Sequence, residues 1–205
     1  MRFGLSLVCG SVVLACVVAS AQTASLKPLP RGEAVGLINR IPKALLPSHT
    51  SHISVEQKQV FSLVSPGQPD LLLVPVKFWH DETSDIVADS TVARDRCGLF
   101  VIPKEGKPSF VWTMDEKTGL AVDFCGGMTA IGTMPNEGAR PRLIAIYRTY
   151  SPPQFEDAAA FVLVWDTAKG TYALDKKAFD YLNSGSNDGI DKIAGVKAAL
   201  ARQGK

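Results

Sequence analysis

From Leu71 onward the chain alternates short apolar runs with turns that carry glycine or proline. Such spacing suits antiparallel strands and leaves no room for long amphipathic helices. Leu71 to Trp79 is almost wholly apolar and reads as a central strand buried on both faces. Pro75 inside it lacks an N–H, so an edge position or a bulge is expected there. A long polar loop, His80 to Arg96, is expected next. Gly98 to Pro103, Ser109 to Met114 and Leu120 to Cys125 then read as strands joined by Gly-containing turns. Gly126-Gly127 is expected to interrupt the pattern before a weaker strand, Met128 to Met134. Arg142 to Tyr150, Ala159 to Asp166 and Thr171 to Leu174 complete the series, with a Pro-rich loop from Ser151 to Asp157.

Helices are expected only at the two ends of this region. Gly32 to Arg40 has helical spacing and stops before Pro42. Near the C-terminus, Asp175 is placed to cap Lys176 to Asn183, and Asp188 to cap Gly189 to Ala201. Between them, Ser48 to His52 reads as a polar connector and Ile53 to Val64 as partly alternating strand. The expected fold class is therefore α+β, predominantly antiparallel β, with two similar β units as a further expectation. That last point rests on a match of Leu72–Trp79 with Leu143–Tyr150, and of Phe100–Ile102 with Val162–Val164. Apolar alternation alone also generates such matches.

The first residues read as an export signal. Met1 and Arg2 precede an uncharged apolar run from Phe3 to Val18, and Ala19-Ser20-Ala21 gives a small-x-small cleavage pattern. The run is shorter than the roughly 20 residues a membrane span needs. A lipoprotein signal acylated at Cys16 is the minority alternative. The expected organisation is a signal peptide over 1–21, a mobile arm over 22–31 and one globular domain over 32–205. The expected location is secreted, in a bacterial periplasm.

Cysteine usage follows from export. Cys9 and Cys16 leave with the signal, and Cys97 and Cys125 remain. An even pair in an oxidising compartment is expected to form a disulfide. Closing a loop of this length stabilises a fold by roughly 3–4 kcal/mol on the chain-entropy account.

No GxSxG, HExxH, SxxK or Walker-type sequence is present. Lys and Arg number 22 against 20 Asp and Glu, with no basic stripe of the kind nucleic acid requires. No cofactor or metal is expected. His49 and His52 stand three apart but lie in a Ser/Thr-rich connector. The densest ionisable group is His80, Asp81, Glu82 and Asp85, a set suited to general-base or metal chemistry if a further group joins it. Trp79, Tyr150 and Phe155 stand at strand ends or in loops, where aromatic side chains serve contact surfaces, and Arg94, Arg96 and Arg148 lie near them. The first functional expectation is a non-enzymatic binding protein, of inhibitor or immunity type, that engages a protein partner through loops. A secreted hydrolase or metal-dependent enzyme built on the His80 cluster is the second, and an envelope structural or assembly protein is the third.

Overall fold

The structure, a computed structural model, describes residues 24–83, 90–114, 124–135, 140–151, 155–184 and 189–203. The expected export segment, Asp85, the expected cap Asp188 and most of the expected strand at 120–125 lie outside the described residues. Among the described residues ten strands and three α-helices follow in chain order: β1 (Ser25–Pro28), α1 (Arg31–Gly36), β2 (Thr50–Val55), β3 (Phe61–Val64), β4 (Leu71–Thr83), β5 (Thr91–Pro103) and β6 (Ser109–Trp112). Then come β7 (Phe124–Met134), β8 (Arg142–Ser151), β9 (Phe155–Asp166), β10 (Thr171–Leu174), α2 (Lys176–Leu182) and α3 (Ile193–Gln203).

The strands form two antiparallel sheets. One has the order β1-β3-β4-β5-β6, with β2 also pairing β4, and the other has the order β10-β9-β8-β7. Each therefore contains a four-strand meander, β3 to β6 in one and β7 to β10 in the other. This is the expected β-rich α+β fold with two similar units. The residue match read from the sequence is out of frame by one, however. Leu72 packs toward α1, whereas Leu143, its proposed equivalent, faces the other sheet. The pairing confirms the slip: Leu72 lies opposite Ile102, but Leu143 lies opposite Leu163 rather than Val164. Because side chains alternate with period two, a frame error of one residue exchanges the faces.

Alternation also explains the layers. Leu71, Leu73, Leu99 and Val101 face Leu143, Leu163 and Tyr172 across the gap between the sheets. Farther along the same gap lie Cys97, Met128, Tyr147, Phe161 and Phe179. Val74, Val76, Phe78 and Phe100 face the opposite way and are covered by Ala34, Leu37 and Ile41 of the N-terminal helical segment. Ile144, Ile146, Ala160 and Val162 are covered in turn by Leu182, Val196 and Leu200 of α2 and α3. Each fully buried Leu or Phe contributes about 1.5–3 kcal/mol by removal from water. Both meanders are thus buried on both faces, and both are dressed by the helical ends of the chain.

Local chemistry sets the irregularities. Asp175 caps α2, its Oδ1 accepting from Ala178 N at 3.0 Å. Pro75 is not at an edge: it lies opposite Leu99 of β5, and its carbonyl accepts from Glu56 N. Its missing N–H is on that same Glu56 side, where the 3₁₀ turn Gln57–Gln59 separates β2 from β3, so no ladder bond is lost. Gly126-Gly127 does not end a strand. β7 runs through both, with a register shift between Cys125 and Gly127, and Gly127 has φ +105°, which a bulge can use and L side chains avoid.

Three other expectations are corrected. The arm over 22–31 includes β1, paired with β3 from Ser25 opposite Val64 to Pro28 opposite Phe61. The connector Ser48 to His52 runs into β2, which pairs β4. The loop His80 to Arg96 is largely strand: β4 and β5 stay in register as far as Thr83 opposite Thr91. Polar residues hid all three from a reading of apolar periodicity, because the pairing is carried by backbone groups. Asn183 illustrates the same economy. Its side-chain amide donates to Ala160 O at 2.9 Å and accepts from Ala160 N at 3.1 Å, covering the edge of β9 beyond β10.

Candidate functional site

The second half of β4 and the first half of β5 form a hairpin arm whose two faces carry different chemistry. Lys77, Trp79 and Asp81 share the inner face with Ala93, Asp95 and Cys97, their cross-strand partners. Phe78, His80 and Glu82 share the outer face with Arg96, Arg94 and Val92. A strand that alternates in this way cannot bring His80, Asp81 and Glu82 to one point.

On the inner face Trp79 is 43% exposed, one of three large apolar side chains left open to this degree among the described residues. The His52 ring rests against it, centroids 4.1 Å apart. Trp79, Ala93, Asp95 and Phe124 line a depression of about 170 Å³. Phe124 comes from the second sheet. Cys97 of β5 and Cys125 of β7 hold it there, with sulfurs at disulfide distance and Cα atoms 5.9 Å apart. Phe124 lies opposite Tyr150 on β8, whose side chain hydrogen-bonds Arg148. Arg148 Nε in turn pairs with Glu156 Oε1 at 2.9 Å. Trp79 and Tyr150, expected at a common surface, are therefore both neighbours of Phe124. Phe155 begins β9 opposite Ser151, at the same end of the sheet.

Arg96 does not belong to that surface. It is fully buried and makes a two-point contact with Glu82, Nε to Oε1 and Nη2 to Oε2, both at 2.6 Å. Arg94 Nε approaches Glu82 Oε2 at 3.4 Å, and its guanidinium carbon lies 5.9 Å from the Phe124 ring centre. Glu82 is thus held between two arginines and acts as a fixed strut of the hairpin. Asp81 is exposed on the opposite face. Among the described residues no group of three or more His, Cys, Asp and Glu side chains is arranged to hold a metal ion.

Behind the depression, between the sheets, sits a second polar group. Lys77 Nζ pairs with Asp95 Oδ2 at 3.2 Å. Burial raises the Glu56 carboxyl above its ordinary value, and Lys77 opposes the rise. Tyr147 is fully buried, and burial drives its phenol well upward; the Thr113 hydroxyl opposes this and Glu56 adds to it. The Glu56 carboxylate lies against Gly127, where a Cβ would stand 2.8 Å from Oε1.

On the outer face of the second sheet, Thr129, Arg148, Glu156, Asp157, Ala158 and Asp191 line an open groove of about 490 Å³. It lies beyond the part of that sheet covered by α2 and α3.

Phe124 was not singled out by the sequence, and His52 only for its spacing from His49. His52 lies in a polar stretch, and Phe124 lies in an expected strand whose neighbour only the Cys97–Cys125 contact reveals. Comparison of the chain with protein-family models, with curated proteins and with solved structures gives no match.

Proposed function

We propose that this chain is an exported, non-enzymatic binding protein that engages a protein partner at the arm end of its two sheets. Within that class we favour an inhibitor or immunity-type protein of the bacterial periplasm. The single observation that carries the binding reading is the half-open Trp79. It stands at the rim of a depression that two sheets share, with His52 against it and Phe124 across it. A large aromatic kept in water costs solvation free energy, and rigid aromatic anchors of this kind dominate interface energetics. Arg148, Tyr150 and Asp81 supply polar groups at the same end, as an interface rim does. Export is supported by the pattern over 1–21 and by the placement of Cys97 beside Cys125.

The test is capture from envelope extract of the source by the immobilised mature protein, run beside Trp79→Ala and Phe124→Ala. A partner retained by the parent and weakened at least tenfold by Trp79→Ala supports the reading, since truncating an interface anchor costs about 2 kcal/mol or more. Equal retention by parent and variants overturns it.

A further inference from the structure

Strand β2 carries one residue more than its pairing with β4 needs. Ser51 stands opposite Trp79 and Ser54 opposite Lys77, so His52 and Ile53 together face the single residue Phe78. Ile53 fills the ordinary place there, because it packs with Phe78 in the cluster that the N-terminal helical segment covers. His52 is therefore the inserted residue.

In an unbroken strand the residue after Ser51 points to the face away from Trp79, since neighbours along a strand alternate. The bulge reverses that. His52 has φ +48°, left-handed backbone that residues with a Cβ adopt only at a cost. Its ring lies against the Trp79 indole, with centroids 4.1 Å apart and planes inclined at 47°. His52 is exposed, so burial in a core does not offset the backbone cost. Re-aiming one side chain is a recurrent use of a bulge. The side chain it reaches, Trp79, is 43% exposed and lines the depression shared with Ala93, Asp95 and Phe124. An indole so open turns between rotamers unless a neighbour holds it.

We propose that His52 is a positioning residue, seated by the β2 bulge so that its ring holds the Trp79 indole in one orientation at the rim of the depression. A side chain fixed before binding loses less rotamer freedom when a partner closes over it, and the complex is tighter. That consequence rests on the reading of Trp79 as a partner's anchor. The positioning itself does not, and it is measured without a partner.

The measurement is ¹⁵N relaxation of the indole N–H groups in the free protein. The chain has three tryptophans, and Trp79→Phe assigns the signal by its loss. The Trp79 indole should have an order parameter near that of rigid backbone, about 0.85, and fall below about 0.6 in His52→Gly. Glycine adopts the left-handed backbone freely, so the bulge is kept and the thermal midpoint should stay within a few degrees. Deleting His52 closes the bulge, with Ile53 still opposite Phe78, and should loosen the indole as much. His49→Gly is the control. His49 has φ +60°, so glycine relieves the same backbone cost in the residue before β2 and should leave the indole ordered. A mobile indole in the parent, an indole equally ordered in His52→Gly, or an equal loosening by His49→Gly overturns the proposal. Toward a partner that the capture retains, His52→Gly should bind about two- to tenfold more weakly, the cost of ordering one side chain. A loosened indole with unchanged affinity keeps the positioning and overturns the reading of Trp79 as the anchor.

Discussion

Strands β4 and β5 are each thirteen residues long, and their two halves behave differently. From Leu71 to Phe78 the hairpin is buried by apolar packing on both faces. From Trp79 to Thr83 it is held by backbone pairing, by the Glu82–Arg96 contact and by the Cys97–Cys125 tie to the other sheet. The same two strands thus supply a rigid base and a polar, partly open arm. Apolar packing is non-directional and adds up with area, so it fixes a fold. Directional polar contacts hold a surface in one shape at little net gain, which suits a surface kept for recognition.

The largest expected effect lies in the apolar packing between the sheets, beside the Cys97–Cys125 tie. Phe161 is fully buried between Tyr147 and Phe179, with ring centroids 5.3 and 5.0 Å away. Phe161→Ala should lower unfolding free energy by about 3–5 kcal/mol in urea denaturation. A loss under about 1 kcal/mol would show that the packing around Tyr147, Phe161 and Phe179 is loose.

The arm should respond to charge rather than to volume. Arg96→Ala leaves Glu82 facing a gap and should cost about 2–3 kcal/mol, somewhat under the usual penalty for breaking a buried pair, because Glu82 is 19% exposed. The double change Arg96→Met with Glu82→Met should recover most of that loss. If the double variant is as unstable as the single one, the contact is a true net stabiliser of the arm.

How much of this was legible in the sequence follows the same division. The apolar half of β4, the strands from Arg142 to Leu174 and the Asp175 cap were readable, because each has a periodicity or an end signal. The polar half of the arm was read as a loop, since charged residues in a paired strand carry no apolar alternation. β1 and the first half of β2 were missed for that reason too. The pairing of Cys97 with Cys125 was legible by count, because only two cysteines follow the stretch read as an export signal. Its consequence was not, since only the fold shows that the tie brings Phe124 to Trp79. Trp79 was legible as a strand-end aromatic. Arg96 and Glu82 were chosen for the same surface, but a sequence cannot show that each neutralises the other.

The smallest expected effect concerns Glu56. Its folded carboxyl titrates above the ordinary value, with burial as the first cause. The folded state therefore holds the proton more tightly than the unfolded one. That contribution is fully present below the ordinary Glu range and is lost as pH rises through the raised folded value. Glu56→Gln cannot lose it. The stability of the variant relative to the parent should improve between about pH 4 and pH 7, by under about 1 kcal/mol because the group is half open to water. A relative change of the opposite sign would mean that the Lys77 charge outweighs burial.

The most direct test of the division between base and arm is amide hydrogen exchange of the protein, free and bound to a partner that the proposed capture retains. Protection on binding should appear in 79–83, 91–95, 124–126 and 148–151, the strand ends around Trp79, Phe124 and Tyr150. The turns at the other end, 104–108 and 167–170, should exchange as before. Protection confined to those turns, with the arm unchanged, would contradict the account.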